Sequence, residues 1–406
     1  MNKIRKILIS TLLCIIFITT NSYGVNTYIW SEDYIETSAN EENKIENENL
    51  NFNLESGAAI LIEQNTGKIL YAYNEHEKLR PASVTKVMTI LLIMEAIDRG
   101  ELKLTDKIPC SENAASMGGS QIWLDPKETL TVDEMLKAIC VVSANDCTVA
   151  MAEYIGGSEE VFVELMNKRA KELGMNDTTF KNCHGIDEDG HITSAYDISL
   201  MARELLLKHP NITKYTTIWM DSLRDGSSEL VNTNKLIRNY KGATGLKTGS
   251  TSLALYNLAA SATRENLSLI SVIMKAPTTK IRFAEAQKLL DYGFANYSYK
   301  TFGKIGEIVK TIEIDKGVEN QVNAIYEGEP AVLIKKGEEK KVTQNLKINE
   351  HLVAPIKEGE KIGEAIYELN GEEIAKVNII AEKEIKQINF VNILLKIYEK
   401  WFKLLR

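Results

Sequence analysis

Residues 80–97 read Arg80-Pro81-Ala82-Ser83-Val84-Thr85-Lys86-Val87-Met88-Thr89-Ile90-Leu91-Leu92-Ile93-Met94-Glu95-Ala96-Ile97. Pro81 stiffens the approach, and the run from Val87 to Ile97 is apolar almost all round. A helix of that kind is buried in a sizeable domain rather than laid on its surface. Ser83 falls where a helix begins, a place in which serine commonly caps the free N–H groups. Lys86, three residues on, shares its face. A hydroxyl and an amine so placed are a capping serine with a solvated lysine, or a nucleophile with its base. The rest of the chain has to decide between them.

Two short runs precede this segment, Ala58 to Glu63 and Ile69 to Tyr73, parted by Gln64-Asn65-Thr66-Gly67-Lys68. They predict a hairpin. After the helix, Gly100 is a stop signal, and a loop-rich stretch leads to Thr131-Val132-Asp133-Glu134, a capping box for a helix over Met135 to Val142. Ser143-Ala144-Asn145-Asp146 interrupts two helical stretches. Further helices are expected from Glu159 to Leu173 and from Ser194 to just before Pro210. Strands return at Lys247 onward, Ala254 to Ala262 and Leu267 to Met274, and Phe283 to Phe294 reads as a last helix. Strands at both ends with helices between them predict an α+β domain whose ends meet in one antiparallel sheet.

The chain has 406 residues, 44% of them hydrophobic and 26% charged, with a formal net charge of -8. That length suits more than one domain, and the acidic balance argues against a nucleic-acid partner. From about Tyr297 short alternating runs are separated by turns such as Lys335-Lys336-Gly337-Glu338, Lys357-Glu358-Gly359-Glu360 and Leu369-Asn370-Gly371-Glu372. They predict a small all-β domain over 297–384. Residues 56–296 are then the first domain.

Both ends depart from this texture. Asn2-Lys3-Ile4-Arg5-Lys6 followed by an apolar stretch from Ile7 to Thr20 and by Ser22-Tyr23-Gly24 predicts a secretory signal over 1–24. Cys14 lies inside the apolar run behind Leu13, which does not suit a lipid-modified cysteine. Residues 25–55 are rich in Asn and Glu and are expected to be a disordered spacer. The other cysteines, Cys110, Cys140, Cys147 and Cys183, are too sparse for a disulfide framework and read as buried apolar positions.

Over 385–406, Ile388, Val391, Leu394, Leu395, Tyr398, Trp401, Phe402 and Leu405 recur at helical spacing. Lys386, Lys396, Lys400, Lys403 and Arg406 stand against Glu399. A terminal, cationic amphipathic helix with aromatic residues is expected to lie in a membrane interface. Its charges are too regularly spaced for a span.

Three elements could build one site: Ser83 with Lys86, Ser143 with Asn145, and Lys247-Thr248-Gly249 opening a strand. They are 60 and 104 residues apart, and the last is preceded by Gly242-Ala243-Thr244-Gly245. Helix-initial Ser-x-x-Lys, inter-helix Ser-x-Asn and strand-initial Lys-Thr-Gly are the three motifs of the penicillin-recognising serine enzymes. The wider sequence resembles the serine D-Ala-D-Ala carboxypeptidases, the low-molecular-mass penicillin-binding proteins. Pro81-Ala82-Ser83, Asn182-Cys183-His184-Gly185-Ile186, Gly242 to Thr251 and Lys288-Leu289-Leu290-Asp291-Tyr292-Gly293-Phe294 carry the likeness, as do the trailing β domain and the terminal helix.

That resemblance implies a β-lactamase/transpeptidase-like catalytic domain, peptidoglycan stem peptides as substrate, β-lactam antibiotics as inhibitors, and no cofactor or metal. It makes Ser83 the nucleophile, Lys86 its base and Ser143 the relay toward the leaving amine, hydrogen-bonded to both lysines. Asn145 would hold Lys86 and the substrate amide, Lys247 and Thr248 the terminal carboxylate. Gly249 would let the substrate backbone approach the strand, and the N–H groups of Ser83 and Ser250 would form the oxyanion hole. A serine hydroxyl needs a base at neutral pH, and lysine serves only if its pKa falls well below about 10.4. Burial and a second cation, here Lys247, both act in that direction.

Two stretches depart from the family pattern. Where some members carry an arginine after the strand ending near Met274, this chain has Lys275-Ala276-Pro277-Thr278. Carboxylate binding then rests on Thr248 with Lys247, or on Lys275. Class A β-lactamases share the three motifs but deacylate through a Glu-x-x-Leu-Asn loop. Glu172-Leu173-Gly174-Met175-Asn176 reads instead as a helix end. The alternatives are a β-lactamase or muropeptide endopeptidase on the same scaffold, or a non-catalytic wall-binding protein. His184 and His191 have a spacing that fits no common zinc motif and are expected on a loop lining the cleft.

Overall fold

The computed structural model describes residues 52–390 together with Asn392, Leu394, Tyr398 and Trp401. The expected signal, nearly all of the spacer and most of the terminal helix lie outside the described residues. Order begins earlier than Ser56. Phe52 packs edge-on against Tyr71 (4.8 Å between ring centres) and Tyr292 (5.3 Å), and the Glu55 N–H donates to Glu285 at 2.6 Å. One aromatic ring with partners to cover it outweighs the polar composition around it.

Strands β1 (Ala58–Glu63) and β2 (Ile69–Tyr73) form the expected hairpin. A tight one-turn helix over Ala82–Thr85 runs directly into α1 (Lys86–Asp98). The stretch read as loop-rich pairs β3 (Lys107–Pro109) with β4 (Thr129–Thr131). The capping box then opens α2 (Val132–Val141), with both of its reciprocal bonds in place. Helices α3 (Asn145–Gly156), α4 (Glu159–Glu172) and α5 (Ala195–Lys208) complete the cluster; Ser158 and Ser194 cap the last two. A hairpin of β5 (Met220–Leu223) and β6 (Ser228–Val231) follows, which no hydrophobic run announced.

Strands β7 (Ala243–Thr251), β8 (Leu255–Arg264) and β9 (Leu267–Ala276) close the domain, followed by α6 (Thr279–Asn296). The five strands form one antiparallel sheet in the order β2-β1-β9-β8-β7, with Ile60 opposite Val272 and Gly249 opposite Asn257. Every residue of β1 is buried because both faces of the sheet are covered. Ala58, Ile60 and Ile62 point into the helical cluster around α1, α2, α3 and α5. Ala59 and Leu61 point the other way, into a second core beneath α6.

The all-β part begins with β10 (Tyr297–Thr301). After it come β11 (Ile308–Asp315), β12 (Gln321–Tyr326), β13 (Ala331–Lys335), β14 (Val342–Ile348), β15 (Leu352–Val353), β16 (Lys361–Leu369) and β17 (Glu372–Ala381). β10 pairs with β13, and the others form a six-stranded sheet over a separate core. Gly337, Gly359 and Gly371, the glycines of the expected turns, all have positive φ, at 91°, 77° and 89°. Glu63, fully buried at the end of β1, accepts hydrogen bonds from the Asn65 and Thr66 N–H groups and from Tyr299 of β10 at 2.8 Å, tying the two parts together. All four described cysteines are free and buried.

Candidate active site

The site gathers where the tight turn before α1, the start of α3 and strand β7 converge. Ser83 does not cap a helix. It lies inside the Ala82–Thr85 turn, whose end is bonded through Lys86 N to the carbonyls of Ser83 and Val84, and no side chain caps either segment. The turn is tighter than an α-helix, so the hydroxyl is left for another partner. That partner is Lys86: its Nζ stands 3.1 Å from Ser83 Oγ, 2.6 Å from Asn145 Oδ1 and 2.6 Å from the carbonyl oxygen of His184.

The turn itself is strained and held from several sides. Ala82 has φ of 49°, a conformation a side chain adopts at a cost, and such costs persist only where the surroundings enforce them. Thr85 Oγ1 donates to Ala82 O at 2.8 Å and meets His191 Nε2 at 2.7 Å. Asn257 Nδ2 donates to Arg80 O at 2.8 Å. Gly185 presses on the turn so closely that a Cβ there would lie 2.0 Å from Ala82 O. His191 therefore serves as a brace, and His184 lends its backbone rather than its ring. Burial, with Lys86 next in effect, pushes the His184 imidazole down to about 3, so it stays neutral.

Lys86 has no exposed surface and Lys247 only 1%. Burial lowers the Lys86 amine well below its ordinary range, and the Lys247 cation adds to the effect. Burial likewise brings Lys247 to about 7, against the opposing influence of Cys140. Among the described residues neither lysine has a carboxylate within ion-pair distance. Lys247 Nζ donates to Thr248 O at 3.0 Å, and Thr248 Oγ1 to Thr233 Oγ1 at 2.7 Å.

Ser143 departs from expectation. It was expected to bridge the two lysines, yet its Oγ is buried with no hydrogen-bond partner among the described residues, on a backbone with φ of 67°. Asn145 Nδ2 is engaged by Gly118 O at 2.7 Å, so one of its two amide N–H bonds is already committed. Gly249 also needs to be glycine for a different reason. A Cβ there would lie 2.8 Å from Pro81 O and 2.9 Å from the nitrogens of Ser83 and Val84. Its bareness seats β7 against the nucleophile's turn. Ser250, next along β7, is exposed.

Lys275 is not beneath the site; its side chain packs along Gly57 at the start of β1. Arg282 occupies that place instead. From the first turn of α6 it donates to Gly249 O (3.3 Å) and Asn257 O (3.2 Å), and burial lowers it to about 10. It escaped notice because it comes eight residues after Met274, within a helix rather than at the strand end. Asp146 was also missed. Fully buried, it accepts from the N–H groups of Ile122 and Leu124, both at 3.1 Å, and so fixes the 118–124 loop against Asn145. Gly174, with φ of 74° after α4, ends that helix as read.

A buried amine aimed at a serine hydroxyl, with two further cations behind an edge strand, is equipped to transfer an acyl group from a substrate that carries an anion. Comparisons with known proteins agree. Residues 42–278 match the D-alanyl-D-alanine carboxypeptidase family model, and residues 297–387 match that of the penicillin-binding protein 5 C-terminal domain. The chain is 45% identical over 353 residues to D-alanyl-D-alanine carboxypeptidase DacF of Bacillus subtilis (strain 168), covering 86% of this chain and 90% of that protein. The solved structure of penicillin binding protein 5 from Haemophilus influenzae superposes with a TM-score of 0.70 at 32% identity, over 82% of this chain and 98% of that one. Penicillin-binding protein D2 from Listeria monocytogenes in its ampicillin-bound form gives a TM-score of 0.56 at 30% identity, over 60% and 100%.

Proposed function

The chain belongs to the D-alanyl-D-alanine carboxypeptidase family and is a serine peptidase of the penicillin-binding class; from that premise we propose that Ser83, Lys86 and Ser143 carry the chemistry. The observation that supports it most directly is the set of partners of Lys86 Nζ. A neutral amine has two N–H bonds and one lone pair. With the N–H bonds on Asn145 Oδ1 and His184 O, the lone pair faces Ser83 Oγ.

Ser83 Oγ attacks the carbonyl carbon of the penultimate D-alanine while its proton passes to Lys86 Nζ. The oxyanion would be held by the N–H groups of Ser83 and Ser250, where losing one donor typically costs two to three orders of magnitude in rate. As the tetrahedral adduct collapses, the C–N bond breaks and the terminal D-alanine leaves as an amine. Its proton comes from Lys86 by way of the Ser143 hydroxyl. Water then hydrolyses the Ser83 ester and releases the shortened stem. Lys247 and Thr248 bind the terminal carboxylate, Arg282 adds positive charge behind them, and Asn145 orients the substrate amide. Penicillin follows the same first step, but its ring nitrogen stays tethered after the amide bond opens.

The substrate is peptidoglycan, which places the activity outside the cytoplasm. The terminal helix begins later than expected: Ile385 is buried in the core of the all-β part and bridges Ile356, Gln387 bridges Gly317, and helix starts at Phe390. We propose further that the segment from Phe390 onward rests on the outer face of the membrane. Phe390, Leu394, Tyr398 and Trp401 are helical, exposed and spaced to share one face. Among the described residues no helix is long and apolar enough to cross a membrane. Removing 390–406, which leaves Ile385 and its bridge to Ile356 in place, should move the protein from the membrane to the soluble fraction, and an unchanged distribution would count against this role.

Mixing the mature protein with a donor ending in D-Ala-D-Ala, and separately with penicillin, tests the catalytic reading. Release of D-alanine and a long-lived penicilloyl adduct on Ser83 are expected. Rapid penicillin turnover without D-alanine release would overturn it in favour of a β-lactamase.

A further inference from the structure

The carbonyl that receives Lys86 belongs to the segment 182–186, and a carboxylate outside the three motifs holds that segment. Glu159 is the first residue of α4, a helix capped by Ser158 and seated tightly behind α3: a Cβ on Gly156 would lie 2.8 Å from Phe162 N. The Cys183 N–H and S–H both donate to Glu159 Oε1, each at 3.2 Å. His184 turns toward the same atom. Its Nδ1 accepts from the Ile186 N–H at 3.1 Å, and a neutral imidazole has a single ring proton, so that proton is on Nε2. Nε2 faces Glu159 Oε1 at 3.5 Å.

The Glu159 side chain is 20% exposed, and among the described residues no lysine or arginine pairs with it. A carboxylate so largely removed from water needs its donors. The three groups that converge on Oε1 all come from Cys183 and His184. From the other side, Thr89 Oγ1 on α1 donates to Cys183 O at 2.6 Å. The backbone between these holds is the one whose next carbonyl, His184 O, takes an N–H of Lys86 at 2.6 Å. A lysine amine rotates freely about its last bond. It offers its lone pair to Ser83 only while both of its N–H bonds are engaged elsewhere, on Asn145 Oδ1 and on this carbonyl.

We propose that Glu159 is a positioning residue for acylation: it fixes the Cys183–His184 backbone so that His184 O holds one N–H of Lys86 and the lone pair stays on the Ser83 hydroxyl. The proposal rests on the reading of Lys86 as base and names what aims it. With the carbonyl displaced, the amine turns an N–H toward Ser83 and cannot take its proton.

Single-turnover acylation by penicillin at rising concentration separates the limiting rate from the half-saturating concentration, and so tests this. Glu159→Ala should lower the limiting rate about 10- to 100-fold and leave the half-saturating concentration within about twofold, since the base is misplaced while the binding surface is kept. Glu159→Gln retains an acceptor oxygen and should stay within about threefold of the parent. Glu159→Asp keeps the charge and suits a helix start but withdraws the oxygen. It should be as slow as Glu159→Ala, and it decides the question if the alanine variant does not fold. Parental limiting rates in the alanine and aspartate variants would overturn the proposal. So would a loss carried by the half-saturating concentration, or a fast aspartate variant beside a slow glutamine one. Near-normal acylation of Lys86→Arg would instead overturn the base reading beneath it.

Discussion

Lys86 ends 3.1 Å from the Ser83 hydroxyl, and its charge is suppressed by burial before any neighbour is considered. A base must be deprotonated to act, so the acylation rate should fall as pH is lowered through the depressed Lys86 value and stay level above it. Lys86→Arg replaces the amine by a group charged at every accessible pH. Acylation by penicillin should then drop by about 10³- to 10⁴-fold across the profile. Near-normal acylation of that variant would remove Lys86 from the role of base. Ser83→Ala should lose at least about 10⁴ in D-alanine release while melting like the parent.

Lys247 bears on stability. Its native value of about 7 lies below the ordinary 10.5. Between those values the unfolded chain holds a proton that the native site has shed, so stability rises with pH across that window. Below about pH 7 both states hold the proton and the cost of burying the charge is complete. Lys247→Met should therefore melt above the parent at pH 6, with the gap narrowing as pH rises from 7 toward 10. A gap that stays constant across that range would contradict a lysine depressed by burial.

Gly185 should tolerate nothing larger. With φ of 92° and Ala82 O only 2.0 Å from an added Cβ, Gly185→Ala must displace the nucleophile's turn. A loss of about 2–5 kcal/mol in stability is expected. Acylation should slow about 100-fold even where the variant folds, because displacements near 1 Å carry that cost. Stopped-flow acylation beside a thermal melt would reveal both, and parental acylation would show that the contact relaxes elsewhere.

Ser143→Ala separates stability from activity. Its hydroxyl is buried without a hydrogen-bond partner among the described residues, so its removal should leave stability unchanged or raise it by about 1 kcal/mol. If it passes the proton to the leaving amine, D-alanine release should fall by about 10²- to 10⁴-fold. Unimpaired release would assign that transfer to another group.

The parts legible in the sequence were those with a local cause. β1 and β2 fall at the residues expected because a Gly-containing turn lies between two apolar runs, and the Thr131–Glu134 capping box announced α2. Strands β3 to β6, of three or four residues each, had no such signal. Distant contacts place them, among them Arg224 on Glu128 and Val132 N on Asp106 O. At the site, motif spacing pointed to Ser83, Lys86, Asn145 and Lys247, which the fold does bring together. It could not reveal which carbonyl receives Lys86, nor that Arg282 reaches β7 from a later helix, since both depend on tertiary packing alone. Ser83 caps nothing for a local reason: one tight turn stands in place of the first turn of α1.

The strand order has a temporal consequence. β1 is seated between β2 and β9, and β7, which abuts the Ser83 turn, reaches β1 only through β8 and β9. Asn257 on β8 also holds Arg80 O across 177 residues of sequence. A chain appearing N-terminus first thus possesses its nucleophile long before it possesses a site. Acylability should arrive abruptly once the chain extends through β9 and α6, so that unfinished chains pass through synthesis unable to consume substrate or capture penicillin.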